Sequence, residues 1–294
     1  MVAALARSIQ VRILQKTQFE SASAHTDDSP ASTMPKIRLQ GVAKQFDVRG
    51  TVIDALQPTD LEVRPHEFVA LVGPSGCGKS TILNMVAGLM QPSAGQVWYD
   101  GKRVHGPNRA IGYMTQKDTL LPWRTTRRNV GIAMELNCRA NERAEAPQRI
   151  DQIIAAVGLK GFEGHYPGEL SGGMRKRVAL ARTLLYQPET LLMDEPFGAL
   201  DAQLKLVMLD QLQKLASERR MAVLFVTHDL GEAITLADRV VVFGARPGRI
   251  RTIRDITLPR PRDVYKVRFT PEFARLHEEL WDELKDEVLL GSDL

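Results

Sequence analysis

The sequence has no long hydrophobic run and only two cysteines. Its longest apolar stretches, such as residues 221–226 and 240–243, are far shorter than the roughly 20 residues that a membrane-spanning helix requires. Cys77 and Cys138 lie far apart in unrelated contexts, which excludes a disulfide framework and a paired-cysteine metal site and fits a reducing compartment. We therefore expect a chain that does not cross a bilayer by itself.

The charge is only mildly basic, with a formal net charge of +4, and the excess is concentrated in residues 246–268. This basic segment has no nucleic-acid recognition motif and no interleaved aromatic residues, although charge alone is compatible with nucleic-acid binding. The pattern favours a solvated surface or one that faces an anionic membrane. We expect no direct nucleic-acid partner.

The ends of the chain differ from its middle. Residues 1–35 mix apolar, basic and Ser/Ala/Asp/Pro-rich sequence, which predicts a flexible extension. Two alternatives stay open, namely a short surface-lying amphipathic helix and a true start at Met34. At the other end, apolar residues recur every three or four positions between Phe273 and Val288, which predicts an amphipathic helix packed on the body of the protein.

The middle of the chain, from Lys36, alternates predicted strands and helices. Apolar strands such as FVALVG, TLLMDE and AVLFVTHD are separated by helical stretches, which indicates a parallel sheet covered on both faces. After Gln116 the composition becomes helical, with segments at 126–136 and 147–157. The pattern predicts a helical insertion in an α/β domain.

A glycine-rich loop follows the apolar stretch 67–72 and precedes a predicted helix. Gly73, Gly78, Lys79 and Ser80 satisfy the pattern G-x-x-x-x-G-K-[ST], in which backbone N–H groups surround phosphate oxygens, lysine supplies a charge and the hydroxyl meets Mg²⁺. A plain glycine turn is the alternative interpretation. The candidate nucleotide-binding residues of this phosphate loop are Gly73, Pro74, Ser75, Gly76, Cys77, Gly78, Lys79, Ser80 and Thr81.

Cys77 lies inside the phosphate loop. A thiol at the start of a helix tends to have a lowered pKa and therefore an enhanced reactivity. We expect alkylation of Cys77 to block nucleotide binding, and ATP to protect the thiol.

Two adjacent carboxylates end the apolar stretch at 190–195. Asp194 continues the strand and is predicted to hold Mg²⁺ through water, whereas Glu195 lies at the strand edge and is predicted to polarise the attacking water as a general base. A bare Asp-Glu pair is usually surface charge. Its place after an apolar strand, in a chain that also has a phosphate loop, favours the catalytic interpretation.

Two further polar residues end predicted strands. His228 follows AVLFVT, where open α/β sheets place ligand contacts, and is predicted to donate to the γ-phosphate and to orient the water. A lone histidine is more often structural, so this role depends on the other motifs. Gln116 ends AIGYMTQ, and its amide is a candidate Mg²⁺ ligand. The catalytic candidates are thus Glu195, His228 and Lys79, and the metal candidates are Ser80, Gln116 and Asp194.

The stretch LSGGMRKRVALAR places Ser171, Gly172 and Gly173 at the start of a predicted helix that runs from Met174. Such a helix end attracts anions. Because the phosphate loop already surrounds one phosphate chain, we expect this second anion site to serve another copy of the protein. Two chains facing head to tail would then share two nucleotides. A glycine-rich helix cap that binds nothing is the alternative.

From Ile37 to about Pro259 the chain resembles the nucleotide-binding subunit of ATP-binding cassette (ABC) transporters. Six motifs in the family's order carry the resemblance: GPSGCGKST as Walker A, Gln116 as the Q-loop, LSGGM as the signature, LLMDE as Walker B, GALD with Asp201 as the D-loop, and His228 as the switch histidine. The resemblance implies an α/β P-loop NTPase fold with a mostly parallel core sheet, an N-terminal antiparallel β portion and an inserted helical subdomain at about 117–185.

The resemblance also implies that Phe46 stacks on adenine, where the family often has tyrosine. Met174 stands in place of the usual glutamine of the signature and Gly198 in place of the usual serine of the D-loop, and neither change removes a phosphate donor. The implied domains are an extension at 1–35, an ABC ATPase domain at 36–260, and a C-terminal extension with an amphipathic helix at 261–294.

Within the family, TLLPWRTTRRNV, LSGGMRKR and RPGRI with ITLPRPRD are similar to the ATPases of nitrate, sulfonate, taurine and bicarbonate importers. This resemblance implies ATP and Mg²⁺ as cofactors and a peripheral location at the cytoplasmic face of the inner membrane. The implied partners are a second copy, an integral membrane permease and an extracytoplasmic solute-binding protein. Candidates for the permease contact are Leu120, Leu121, Pro122 and Trp123, although core packing explains Trp123 equally well.

Two other classes of function remain as alternatives. A non-transport ABC ATPase that acts on nucleic acid or ribosomes usually has a long coiled coil between Walker A and the signature, or two cassettes in one chain, and this sequence has neither. A small-molecule kinase shares Walker A but has no use for residues 171–173. An importer ATPase is therefore the favoured function.

Overall fold

The computed structural model describes residues 34–137, 145–198 and 200–291. The predicted extension therefore lies outside the described residues up to position 33, and so does Cys138. In the described ranges, no helix combines the length and the apolar character that crossing a bilayer would take.

A four-stranded antiparallel sheet, in the order β2-β1-β4-β5, forms the N-terminal β portion. Its first strand alternates buried Ile37 and Leu39 with exposed Arg38 and Gln40, because successive side chains of a strand point to opposite faces. The antiparallel portion implied by the resemblance is confirmed. The strands are β1 (Ile37–Val48), β2 (Thr51–Val63), β4 (Ala94–Tyr99) and β5 (Lys102–Arg103).

A second sheet of six strands lies in the order β10-β9-β3-β8-β7-β6. All neighbours are parallel except the edge strand β10, which pairs antiparallel with β9. Every residue of β3, β7 and β8 is buried, as expected for strands covered on both faces. The strands are β3 (Phe68–Val72), β6 (Ile111–Met114), β7 (Thr190–Asp194), β8 (Ala222–Val226), β9 (Arg239–Phe243) and β10 (Ile250–Asp255).

The parallel sheet separates two hydrophobic cores. Val69 and Leu71 of β3 face helix α1 (Lys79–Val86) and the antiparallel sheet. Phe68 and Ala70, on the opposite face, pack in a core shared with the remaining sheet-covering helices. These are α5 (Ala202–Glu218), α6 (Leu230–Leu236) and α7 (Pro271–Gly291).

Three helices form a separate, smaller core between β6 and β7. They are α2 (Thr126–Asn137), α3 (Ala146–Ala156) and α4 (Gly172–Leu185). Val130, Ile154 and Val178 are fully buried there. The opposite side of α4, including Ala179 and Leu180, packs in the main core. Helix α4 therefore belongs to both the helical insertion and the sheet domain.

The C-terminal helix α7 packs on the body as the sequence predicts. Phe273, Leu276, Leu280 and Leu284 are buried in the main core. The spacing of these residues places them on one side of the helix, because residues three and four apart share a helix face.

The basic segment is mostly exposed, as the sequence suggested: seven of its eight arginine and lysine residues are exposed, and Arg262 is the exception. Its side chain is buried, with the residue only 4% exposed, and it donates hydrogen bonds to the carbonyl oxygens of Ile234 and Ala237 at the end of α6. Arg262 departs from the expectation because an arginine can be buried where its fork of donors satisfies the free carbonyls at a helix C-terminus.

Candidate functional site

A cleft of about 470 Å³ opens at the carboxyl end of the parallel sheet. Residues from the β1–β2 hairpin, the phosphate loop, the loop after β6 and the end of β7 surround it. Five of its residues were not candidate site residues in the sequence: Val48, Ile53, Asp54, Ala55 and Arg246. The lining residues are Phe46, Val48, Ile53, Asp54, Ala55, Ser75, Gly76, Gly78, Lys79, Ser80, Thr81, Gln116, Glu195 and Arg246.

The phosphate loop joins β3 directly to α1, and its glycines are required by its geometry. Gly78 caps α1 with a φ of 95°, and Gly73 has a φ of 155°, values that other residues rarely adopt. A Cβ atom at Gly73 would lie 2.7 Å from the carbonyl oxygen of Phe243. The loop thus places the free N–H groups of the first turn of α1 at the cleft, where they suit an anion.

Lys79, the first residue of α1, is held over the loop. Its Nζ donates hydrogen bonds to the carbonyl oxygens of Gly73 at 2.8 Å and Pro74 at 2.7 Å. The side chain is buried, so its charge acts in surroundings where screening by water is weak. The loop and the lysine therefore form one preorganised phosphate cradle.

Cys77 does not have the reactivity expected from the sequence. Its side chain is fully buried against the sheet, and burial raises the pKa of the thiol, although the nearby ammonium group of Lys79 acts in the opposite direction. Desolvation of the thiolate outweighs the helix terminus and the lysine. The expectation of a low pKa is wrong, and a buried, protonated thiol is a poor target for alkylation.

Asp194 ends β7 behind the cleft, next to Ser80, and is only 4% exposed. Burial raises the pKa of its carboxyl, a hydrogen bond from Ser80 opposes this rise, and the charge of Glu195 adds to it. A buried carboxylate next to a hydroxyl on the phosphate loop, with Lys79 and Lys176 as nearby positive charges, fits Mg²⁺. This cation commonly takes one or two protein ligands and completes its shell with phosphate and water. Among the described residues no cluster of three or more His, Cys, Asp or Glu side chains could hold a metal by itself.

Glu195 follows Asp194 directly, and its side chain has different neighbours from that of Asp194. Its backbone is in the left-handed region with a φ of 47°, and its N–H pairs with the carbonyl oxygen of Val226 at 2.9 Å. Its two carboxylate oxygens have different neighbours, because Gln116 Nε2 donates to Oε2 at 3.2 Å while His228 Nδ1 lies 3.7 Å from Oε1. Such a strained backbone in a non-glycine residue costs roughly 1–3 kcal/mol and is typical of functional sites.

A hydrogen-bonded network that the sequence did not reveal supports the segment around His228. Thr227 Oγ1 donates to Glu232 Oε2 at 2.6 Å, and Lys205 Nζ lies 2.8 Å from Glu232 Oε1. Asp229 caps α6 by accepting the N–H of Glu232 at 3.1 Å. Because the residues on either side of it are fixed, the exposed histidine is presented toward Glu195.

The signature residues lie at the start of α4. The Ser171 hydroxyl caps this helix by accepting the N–H of Met174 at 3.2 Å, and Gly172 is its first residue. Asp201 caps α5 in the same way, accepting the N–H of Leu204 at 2.9 Å. Neither residues 171–173 nor Asp201 belong to the described residues that line the cleft. The structure therefore brings the phosphate loop, Gln116 and Glu195 together and leaves the signature and Asp201 elsewhere on the chain.

Basic residues of α4 fasten the signature helix to the loop that follows β6. Lys176 Nζ donates to the carbonyl oxygen of Gln116, Arg175 Nε lies 3.0 Å from Asp118 Oδ2, and Arg182 Nη1 donates to the carbonyl oxygen of Thr119 at 2.9 Å. These contacts were not predicted from the sequence. The MRKR run contains Arg175 and Lys176, but such a run is equally typical of a solvated helix face.

Trp123 is 71% exposed, which excludes the alternative that it packs in the core. It follows a turn in which Leu121 donates its N–H to Asn129 Oδ1 at 2.8 Å. Leu120, in contrast, packs against both the main core and that of the helical insertion. The segment thus presents a large aromatic ring to the outside from a fixed backbone.

Comparison with known sequences assigns the chain to a family. The ABC transporter family model matches residues 56–198. The chain is 47% identical over 255 residues to an uncharacterized ABC transporter ATP-binding protein of Methanocaldococcus jannaschii, covering 86% of this chain and 93% of that protein. It is 44% identical over 227 residues to the aliphatic sulfonates import ATP-binding protein SsuB 1 of Xanthomonas axonopodis pv. citri, covering 77% and 88%.

Comparison with solved structures confirms the predicted fold class. A dimeric ATP-binding cassette in a post-hydrolysis state, bound to ADP and Pi, superposes with a TM-score of 0.69 at 29% identity and covers 76% of this chain and 100% of its own. The sheet order, the phosphate cradle and these likenesses agree. The chain belongs to the ABC transporter family as an ATP-binding subunit, an ATPase that uses ATP and Mg²⁺.

Proposed function

We propose that the chain hydrolyses ATP for an ABC import system, as a homodimer bound to a permease at the cytoplasmic face of the membrane. The observation that carries this proposal is the division of the site. The cleft holds the phosphate loop, Gln116 and Glu195 but none of residues 171–173. A second copy facing head to tail supplies the missing helix end. The dimeric cassette to which the chain is similar supports this arrangement.

On one side of the nucleotide, the residues of the cleft hold the phosphates. The phosphate loop and Lys79 surround the β- and γ-phosphates, and Phe46 stacks on the base. Ser80, Asp194 and Gln116 would hold Mg²⁺, which would supply positive charge to the phosphates. From the other side, the partner's Ser171 and Gly173 offer a hydroxyl and an N–H group to the same γ-phosphate. Asp201 lies at the dimer interface.

Glu195 is the general base. Its carboxylate orients the attacking water and accepts its proton, while the hydrogen bond from Gln116 keeps one oxygen in place and leaves the other near His228. His228 donates to the γ-phosphate and fixes the direction of attack. The backbone carbonyl oxygen of Gln116 also accepts a hydrogen bond from Lys176 Nζ. The position of the base therefore depends on the loop after β6.

Trp123 is the anchor for the permease. A large exposed aromatic ring on a fixed backbone is typical of the residues that contribute most to an interface. It lies seven residues after Gln116 in sequence, so a movement of the permease at Trp123 reaches the loop that positions Glu195. The solute-binding protein belongs to the same system and contacts the permease rather than this chain.

The transported solutes are small anions of the sulfonate, taurine and nitrate kind. The similarity to an aliphatic sulfonates import ATP-binding protein supports this choice. Uptake of labelled taurine, aliphatic sulfonate and nitrate is to be compared between an intact strain and one that lacks the chain. We expect uptake of at least one of these anions to disappear and to return with the wild-type chain but not with Glu195→Gln.

The membrane partner is tested separately by purification from membranes. Wild-type chain should copurify with an integral membrane protein, and Trp123→Ala should lose that partner while it keeps ATPase activity in solution. Phe162→Ala, an exposed aromatic residue outside this segment, is the matched control. Copurification with ribosomes or DNA, together with unchanged anion uptake in the deletion strain, would contradict the importer function.

A further inference from the structure

The loop between β9 and β10, residues 244–249, is packed against the phosphate loop. Gly248 N–H donates to the carbonyl oxygen of Ala55 at 3.1 Å, and its own carbonyl accepts the N–H of Gln57 at 2.9 Å. A Cβ atom at Gly248 would lie 1.9 Å from the carbonyl oxygen of Cys77, so only glycine allows this approach. The loop is thereby fixed between β2 and the phosphate loop.

Arg246 projects from this loop over the phosphate loop. Its Nε donates to the carbonyl oxygen of Gly76 at 2.9 Å, and a Cβ atom at Gly76 would lie 2.7 Å from its Nη2. The arginine also lines the cleft together with Phe46 and Ser75. One donor of the guanidinium group is therefore used by the protein backbone at the edge of the nucleotide site.

The other donors of Arg246 have no protein partner among residues 34–137, 145–198 and 200–291. Most other arginines of the basic segment are paired. Arg251 contacts Glu287, Arg254 lies 2.6 Å from Glu283 and Arg260 lies 2.7 Å from Asp238. Arg246 is thus a cation that is fixed in place by a neutral carbonyl, at a cleft built for an anion.

A residue near the end of α7 contacts the loop at 244–249. Glu287 is only 4% exposed, and its Oε2 accepts the N–H of Ala245 at 2.5 Å, while its Oε1 contacts Arg251. The hydrogen bond from Ala245 is the largest influence on the Glu287 carboxyl and holds its pKa below the usual value. A residue of the C-terminal helix therefore fixes the backbone directly before Arg246.

We propose that Arg246 binds the phosphate chain of the nucleotide and that Glu287, through Ala245, positions it. This inference rests on the cleft being the ATP site. A guanidinium group presents donors in a planar fork that matches phosphate oxygens, and charge-assisted hydrogen bonds of this kind are stronger than neutral ones. The hydrogen bond to Gly76 fixes the fork before the nucleotide arrives, which reduces the entropy lost on binding.

The test measures dissociation constants of fluorescent ATP and ADP with purified full-length variants. We expect Arg246→Ala to weaken binding of both nucleotides about tenfold and Arg246→Lys to weaken it less, because lysine keeps the charge but not the fork. Arg249→Ala is the matched control. It removes another exposed arginine of the same loop that does not line the cleft, and it should leave both constants unchanged.

Three results would overturn the assignment of Arg246. If Arg246→Ala binds ATP and ADP within about twofold of wild type, Arg246 does not contact the phosphates. If Arg249→Ala loses as much affinity as Arg246→Ala, the effect is one of net charge alone. A changed preference between ATP and GTP would show that Arg246 contacts the base instead of the phosphates. Lys79→Ala tells this inference apart from the proposed function, because unchanged binding by Lys79→Ala would mean that the cleft is not the ATP site.

Glu287 is tested by a double-mutant cycle. Glu287→Ala should weaken ADP binding about threefold in the wild-type background and have no further effect in the Arg246→Ala background, since a positioning residue acts through the group it positions. Glu287→Gln keeps an acceptor for Ala245 and should restore most of the affinity. A loss that is equally large in both backgrounds would contradict the positioning role.

Discussion

The two helix ends that the sequence predicts to bind anions, at α1 and α4, are built in different ways. The start of α1 is buried in a cleft, and Lys79 and Asp194 are already in place around it. The start of α4 carries Ser171 on an exposed loop, where its hydroxyl does no more than cap its own helix. One end belongs to a preformed cleft, and the other belongs to no part of that cleft and, in the proposed function, serves the nucleotide of a second copy.

The two ends are nevertheless connected inside one chain. Lys176 of α4 donates to the carbonyl oxygen of Gln116, whose side chain donates to Glu195. Burial lowers the pKa of the Lys176 ammonium, while the nearby carboxylates of Asp118, Asp194 and Glu195 favour its charged form. The position of Glu195, the proposed base, is therefore linked to the position of α4, the helix proposed to contact the partner.

The largest effect is expected from replacing Glu195, the proposed general base. Glu195→Gln removes proton acceptance but keeps the side-chain size, so we expect the hydrolysis rate to fall about 100- to 10,000-fold while ATP affinity is kept. Phosphate release and nucleotide titration measure the two quantities. Wild-type turnover by this variant would remove Glu195 from the role of base.

The second prediction separates the two helix ends. Gly173→Asp places a carboxylate where the partner's γ-phosphate is expected, and we expect hydrolysis to fall about 100-fold or more. ADP binding to the isolated chain should not change, because residues 171–173 lie outside the cleft of their own chain. Lys79→Ala should show the opposite pattern and lose nucleotide binding itself. Weakened ADP binding by Gly173→Asp would place the signature in the site of its own chain.

The third prediction tests the connection. Lys176→Met removes the hydrogen bond to the Gln116 carbonyl but keeps an unbranched side chain of nearly the same length, and we expect a decrease in kcat of about 2- to 30-fold with little change in ADP affinity. Lys160→Met, a surface lysine outside α4 with no hydrogen bond to the loop after β6, is the control. Equal effects of the two variants would rule out a specific role for Lys176.

The smallest effect is on stability. The pKa of the Asp194 carboxyl is raised in the folded protein, so the free energy of unfolding should decrease as pH rises above the unfolded value near 3.8 toward the folded pKa. Asp194→Asn has no carboxylate whose charge must be buried, so it should melt a few degrees higher than wild type at neutral pH without nucleotide. Its Mg²⁺-dependent hydrolysis should be lost. A melting temperature below that of wild type would contradict the role of burial at this carboxyl.

Much of the core and the cleft followed from local sequence. Apolar runs of five or six residues between helical stretches identified β3, β7 and β8, and the glycine pattern identified the phosphate loop. These signals are strong because a covered parallel strand requires continuous apolar sequence, and a close phosphate contact requires glycine. Strands β2 and β10 were missed, since their exposed and polar residues give no such run.

Contacts between distant parts of the chain were beyond sequence reasoning. Arg246 and Gly76 are 170 positions apart, and nothing near Arg246 indicates the carbonyl that it contacts. The burial of Arg262 and the raised pKa of Cys77 depend on neighbours brought together only by the fold. Sequence identifies the chemical groups, whereas their burial and pairing decide which of them are reactive.

The most direct test of the shared site is the molecular mass of Glu195→Gln in solution, by sedimentation velocity with and without ATP and Mg²⁺. We predict a monomer without nucleotide and a dimer that retains two ATP molecules with it, and we predict that adding Gly173→Asp abolishes the dimer but not ATP binding. A Glu195→Gln protein that binds ATP and stays monomeric, alone and with its membrane partner, would contradict a site made by two copies.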